Sequence, residues 1–561
     1  MRRYDIRRST SYIVRVFPPK KTPLKRSRGA IGLGQSDVSN CKTEFYNCLS
    51  KNILFFERRL RFGEVMISIM KKQLLLGLAA LLAVSGMAAC SDNSTDAKET
   101  HAATTASADT IPTETEDPDY IADIDHTKTW GGAEFRVLAN KYWDPGYEFS
   151  IEEESEDPVD TALYRRNRKI EELYDVTISL TVDDAAKAAV QRTLQSNDGS
   201  VSCFAMNANE MAPLAVNNCF CDLMSIDSMD LSKKYWDQPL VNSLSIDHKL
   251  FYTTGDLSLR ANMGTFLILF NKRLAESNDL GNLYQTVRDQ KWTMDTFDSM
   301  LKDFTRDLDG DQKLTPDDMW GLATQEEAYL GFYYGSGESI VKPGSDGMPT
   351  LCMMNDRFTG VYSKIIDILR KDNKTLSAHD WLDYKSTMGG LINVQIFAEG
   401  RALFMYTNAA TIGRFRDMAD DFGVLPTPKY DENQSDYCSY VYHGAAMYAV
   451  PTSAQDPEFS GFILEALAEE SHRSVTDVYY EETLKNKYQR DESSSEMLDI
   501  VFRNRIWDMG YLANLGNIYT TLKDSIAQRK DSFASSYEKK ESKVQKAIED
   551  YIASYENANT F

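Results

Sequence analysis

The sequence predicts an α/β chain of two or more units with a helical C-terminal third, and three observations carry that reading. Segments 135–139 and 176–182 read as strands on either side of a helical stretch at 160–174; segment 264–270 is apolar throughout; and helical spacing dominates from Pro457 onward. At 561 residues the chain is also longer than one hydrophobic core usually organises.

Each element has its own warrant. Segment 176–182 (VTISLTV) alternates apolar with polar, as a strand with one buried face does. In 160–174, Leu163, Ile170, Leu173 and Tyr174 recur at helical spacing behind acidic residues suited to an N-terminal cap. Strand, helix, strand is the βαβ unit of a parallel sheet. Segment 201–206 adds an apolar strand that opens onto the polar run Asn207, Ala208, Asn209, Glu210. The unbroken apolar run at 264–270 suits a strand covered on both faces. Phe297, Met300, Leu301 and Phe304 share one helix face, with Thr293 as its cap. Short strands at 422–425 and 445–450 each end at a proline, Pro426 and Pro451. The chain closes on a helix with Val544, Ile548, Ile552 and Tyr555 on one face.

The N-terminal region reads as processing signals rather than fold. Met70-Lys71-Lys72 precedes an 11-residue apolar run at 74–84, too short for a bilayer, which needs about 20 residues, but suited to a signal-peptide core. The following Ser85-Gly86-Met87-Ala88-Ala89-Cys90 resembles the bacterial lipobox, which implies acylation of Cys90 and cleavage before it. Residues 70–89 are then a lipoprotein signal peptide, and 1–69 a mis-annotated upstream extension. Residues 90–128 read as a disordered tether, because Ser, Thr, Asp, Glu and Ala bury too little surface to offset chain entropy.

The formal charge is −22, and the chain from Cys90 on holds 45 basic against 79 acidic residues. Such a surface repels nucleic acid and anionic lipid, so no nucleic-acid partner is expected. Five cysteines remain after Cys90 with no CxxC pair, which signals neither a disulfide framework nor zinc.

Six segments carry a family resemblance. Segments 255–259 (GDLSL), 270–274 (FNKRL) and 291–297 (KWTMDTF), then 397–404 (FAEGRALF), 421–428 (DFGVLPTP) and 448–451 (YAVP), resemble in order and spacing the extracellular solute-binding proteins of the maltose-binding type. The resemblance implies a class II, two-lobed periplasmic-binding-protein-like fold with hinge strands. The lobes would be 129–262 with 440–490, and 263–439 with 491–561, crossing at 260–265 and near 437–443. It also implies a monomeric lipoprotein on the extracytoplasmic face of the membrane that captures a small molecule and serves the permease subunits of an ABC importer.

A carbohydrate is the expected ligand. Sugar clefts combine aromatic rings, which pack on C–H faces, with amide and charged side chains, which take the hydroxyls. Loops after first-lobe strands supply Tyr142, Trp143 and Asp144, then Asn207, Asn209 and Glu210; the crossing supplies Arg260 and Asn262. Segment 403–408 resembles the family's second-lobe strand and loop and offers Tyr406 and Asn408, while Tyr442 lies at the return crossing with Tyr440 and His443. Catalytic motifs such as GxSxG and HExxH do not occur, so no enzyme is expected; a secreted carbohydrate-active hydrolase and a surface sensor or adhesion subunit are the alternatives.

One further motif stands in the second lobe. Asp307, Asp309, Asp311, the Lys313 carbonyl, Thr315 and Asp318 fall at the oxygen-bearing positions of an EF-hand loop, and a structural Ca2+ is expected there. Gln312 replaces the usual glycine, and Asp318 the longer glutamate.

Overall fold

Nine strands make two sheets: β1 Ala133–Asn140, β2 Val176–Asp183, β3 Cys203–Asn207, β4 Phe266–Asn271, β5 Trp320–Thr324, β6 Thr375–Ser377, β7 Ala402–Asn408, β8 Phe422–Leu425 and β9 Ala446–Ala449. The computed structural model describes residues 117–556 apart from 385, 387–390, 482–491 and 531, so the upstream extension, the signal peptide, Cys90 and the tether up to 116 lie outside the described residues. The first sheet runs β9-β3-β1-β2, parallel except for β9, which is antiparallel to β3. The second runs β8-β4-β7-β5-β6; β7, β5 and β6 are parallel, and β4 is antiparallel to both β7 and β8. Strands β3, β4 and β5 are buried along their full length, as expected for sheets covered by helices on both faces.

The helices named below are α1 Pro158–Tyr174, α2 Ala208–Ala215, α3 Leu259–Met263, α4 Ala328–Gly335, α5 Pro457–Ser471, α6 Met509–Leu512 and α7 Glu541–Glu556. Among the described residues no helix is long and apolar enough to cross a membrane.

The structure corrects three expectations. The tether ends before 128: Asp117 caps a short turn at Pro118–Tyr120, Tyr120 stacks on His472 with 3.8 Å between ring centroids, and Ala122 is buried. A few apolar side chains there suffice to dock the chain on α5 and its continuation. The first crossing is a helical turn, α3, rather than an extended segment, because Ser258 Oγ accepts the Arg260 amide as an N-cap. The C-terminal residues do not belong to the second lobe alone, since Tyr551 of α7 donates to the Ala212 carbonyl at 2.8 Å and Tyr555 packs on Phe251 at 4.4 Å.

Beyond α3, Thr265 bridges Val441, and Ser439–Tyr440 pairs in parallel with Arg505–Ile506. Three segments therefore run side by side where the chain passes between the sheets. Arg505 ties this bundle to the first lobe through Asp237, at 2.8 Å, and to the Asn262 side chain.

Candidate functional site

Parallel strands point their carboxyl ends to one edge, and at that edge the loops of an α/β sheet collect ligands. Here the edge of the first sheet carries the loops after β1 and β3, and that of the second carries those after β5, β6 and β7.

The loop after β1 is held in a costly shape. Trp143 and Asp144 are consecutive left-handed residues, with φ of 61° and 48°, a conformation that costs a bulky side chain about 1–3 kcal/mol and persists only where its surroundings impose it. Two asparagines impose it: Asn140 and Asn207 each donate a side-chain N–H to the Tyr142 carbonyl at 2.8 Å, and Asn140 Oδ1 accepts the Asn207 amide at 3.0 Å. The result holds Tyr142 at 64% and Trp143 at 44% exposure, among the most exposed large apolar side chains described.

Trp143 packs edge-on against Tyr442 of the second crossing at 5.0 Å, and Tyr442 lies 4.2 Å from the His443 ring. Gly444 allows this, since a Cβ there would meet Tyr442 ring carbons at 2.8 Å and Trp143 Cγ at 3.2 Å. Burial, with a smaller push from Lys523, brings the His443 imidazole down to about 4, so it is neutral at neutral pH. Tyr511 of α6 fixes the segment: its hydroxyl accepts the His443 amide at 3.0 Å and bonds the Tyr440 hydroxyl.

Around this shelf lie buried polar atoms without a hydrogen-bond partner among the described residues: Asn207 Oδ1, Asn209 Oδ1, Glu210 Oε2, His443 Nδ1 and Arg260 Nε. Burial raises the Glu210 carboxyl above its usual range. Arg260 lies over the Tyr147 ring at 4.7 Å, 3.9 Å from Asp144. It also lines a cavity of about 460 Å3 whose far wall is Ala409, Ala410, Gly413 and Arg416, the turn after β7. Asn408 sits at the head of that turn and accepts the Thr411 hydroxyl at 2.9 Å.

The structure brings Tyr142, Trp143, Asp144, Asn207, Asn209, Glu210, Arg260 and Tyr442 to one edge, with Asn408 at the head of the turn after β7. Two expected residues stand elsewhere. Tyr406 is fully buried in β7, stacked on Phe266, with its hydroxyl against Gly331 of α4, where an added Cβ would lie 1.9 Å away. Asn262 is 6% exposed and engaged by Arg505.

Other residues at the edge went unread. Tyr147 backs Arg260. Glu327, raised by burial, begins α4 after β5, and its charge reaches Tyr442. Beside it Glu326 pairs with Lys523 at 3.1 Å. A carboxylate pair just beyond a short strand is a usable signal, but nothing local in the five residues of β5 marks them as a strand. Tyr511 lies far along the chain, in a helix with no local mark of function.

In the second lobe the oxygens of Asp307, Asp309 and Asp311 lie within 4.8 Å of one another. Gln312 takes φ 63°, the left-handed turn usually given to glycine. Asp318 is not among the three; buried, it accepts Leu308 N at 2.9 Å and Thr315 N at 2.7 Å, clamping the loop's two ends. Three carboxylates fit a Ca2+, which takes oxygen ligands.

No protein-family model matches the chain, and no curated protein does. Among solved structures, a sugar transporter from Rhizobium etli in an open conformation is 11% identical, with TM-score 0.50, over 76% of this chain and 100% of that one. An ABC substrate-binding protein from Listeria monocytogenes in complex with cycloalternan is 11% identical, with TM-score 0.46, over 75% and 97%. The described chain therefore has the two-lobed α/β fold of the periplasmic-binding-protein type, the fold of the Rhizobium etli sugar transporter.

Proposed function

We propose that the protein captures a carbohydrate between its lobes by hinge closure, without chemical turnover, and delivers it to an ABC importer. One observation carries the reading: an exposed tryptophan in a strained turn stands beside buried polar atoms that lack partners among the described residues. Native proteins satisfy such atoms, so unpaired ones at a cleft suit a ligand rich in hydroxyls. The shared fold with a sugar transporter supports the same reading.

A thermal-shift screen of mono- and oligosaccharides tests it, because a ligand at 100 times its Kd stabilises the native state by about 2.7 kcal/mol. Trp143→Ala is expected to weaken binding of the saccharide so found by one to two orders of magnitude, about 1.4 kcal/mol per factor of ten. Unchanged affinity would remove Trp143 from the site.

Two further parts belong to this proposal. Acylated Cys90 holds the protein at the extracytoplasmic face of the membrane; Cys90→Ser is expected to abolish palmitate labelling, and persistent labelling would contradict the lipobox. Ca2+ occupies the loop at 307–318 in a structural role. Chelator should then lower Tm, and Asp309→Ala should abolish that response while leaving saccharide affinity intact. Identical melting with and without Ca2+ would exclude the ion.

A further inference from the structure

The cavity beside Arg260 gathers two arginines in an otherwise acidic chain, alongside Glu156 and Asp157. Arg260, from the first crossing, and Arg416, from the turn after β7, line it from opposite walls, in a chain with 84 acidic against 62 basic residues. The Tyr147 ring under Arg260, 4.7 Å from the guanidinium, helps fix its plane. Among the described residues its Nε is buried without a partner, and the Asp144 ion-pair oxygen is 3.9 Å from Nη2, beyond hydrogen-bond range. The Arg416 side chain is exposed and makes no ion pair or hydrogen bond among the described residues.

Among the acidic groups near the pair, Asp144 comes within 3.9 Å of Arg260, and Glu156 and Asp157 share the lining. Asp157 on the cavity wall accepts the Val159 and Asp160 amides at 2.9 and 3.4 Å, so its charge faces the N-terminus of α1. Glu156 is exposed to water. The buried Glu148 carboxylate is shared between two guanidiniums, Arg260 and Arg166, and Arg166 is also under the charge of Glu470, so Glu148 does not hold Arg260 alone.

Guanidinium groups bind carboxylates in paired, planar geometry. A carboxylate lodged between Arg260 and Arg416 would touch both walls of the cleft at once, and only contacts made better in the closed state favour closure. We infer that the captured ligand is an acidic saccharide of the uronate class, its carboxylate in the Arg260–Arg416 cavity and an uncharged ring face on Trp143. This rests on the carbohydrate reading above and narrows it.

The test is titration calorimetry of the mature chain with trigalacturonate and with galactotriose at low and high salt. The acidic trisaccharide is expected to bind at least tenfold tighter at low salt, with the advantage shrinking at high salt and disappearing in Arg416→Ala, whose exposed site leaves the fold unaffected. Equal or tighter binding of galactotriose would overturn the inference while leaving saccharide capture in place. A loss in Arg416→Ala that falls equally on both sugars would also overturn it. Binding of neither, together with a blank saccharide screen, would overturn both readings.

Discussion

Arg166→Met is expected to destabilise the protein by about 3–5 kcal/mol, the range measured when one member of a buried charged network is removed. Arg166 is 1% exposed. It donates to the Glu148 carbonyl at 2.8 Å, the Ser471 hydroxyl at 2.9 Å, the Leu257 carbonyl at 3.3 Å and Asn167 Oδ1 at 2.8 Å. One guanidinium thus joins α1, the end of α5, the approach to α3 and the turn that follows the Trp143 loop. Methionine fills the volume but leaves the Leu257 carbonyl and Asn167 Oδ1 without their donor, at about 1–3 kcal/mol each where they find no substitute, while the Glu148 carbonyl keeps the Asn167 amide at 3.0 Å. It also strips a cation from Glu148, whose carboxylate accepts the Leu259 amide at 3.0 Å and the Ser258 hydroxyl at 3.2 Å, and which burial already pushes up. Urea unfolding measures the loss; a difference under about 1 kcal/mol would mean the network is dispensable.

Glu465→Gln is expected to stabilise the protein at alkaline pH by as much as about 3 kcal/mol and to make little difference near pH 4.5. Glu465 is fully buried in α5, where it accepts Trp236 Nε1 at 2.9 Å and the Tyr235 hydroxyl, and burial pushes its carboxyl up to about 7 from 4.5. A carboxyl with a raised folded-state pKa holds its proton more tightly when folded. Its contribution is full below about pH 4.5 and is lost as pH rises through 7. Asp508, pushed up to about 6 by burial, adds to the same slope. Glutamine keeps an acceptor for Trp236 and offers Tyr235 a donor, without the charge. Denaturant unfolding at pH 5 and pH 8 should show the variant's advantage growing with pH; a pH-independent difference would contradict the assignment.

The strands were the most legible part of the sequence, because alternation at 176–182 and unbroken apolarity at 264–270 are local properties. The first crossing was not legible: Ser258 caps α3 only because the following residues turn into a helix under Glu148, a contact 110 positions away. Trp143 could be read as a loop aromatic after a strand. Its left-handed backbone could not, since the asparagines that impose it come from two strands. The burial of Tyr406 is not legible in the sequence because both faces of β7 are covered, so alternation along the strand does not reveal which side chain reaches the cleft. Tyr511 and Tyr551 needed the path of the C-terminal helices, which apolar spacing predicts as helices without saying what they lie against.

The central claim is capture by closure, and small-angle scattering of the mature chain tests it most directly. On adding the saccharide identified by the stability screen, the radius of gyration is expected to fall, with the sugar recovered unchanged after long incubation. A radius that stays constant at saturation, or cleaved product formed in proportion to protein concentration, would contradict it.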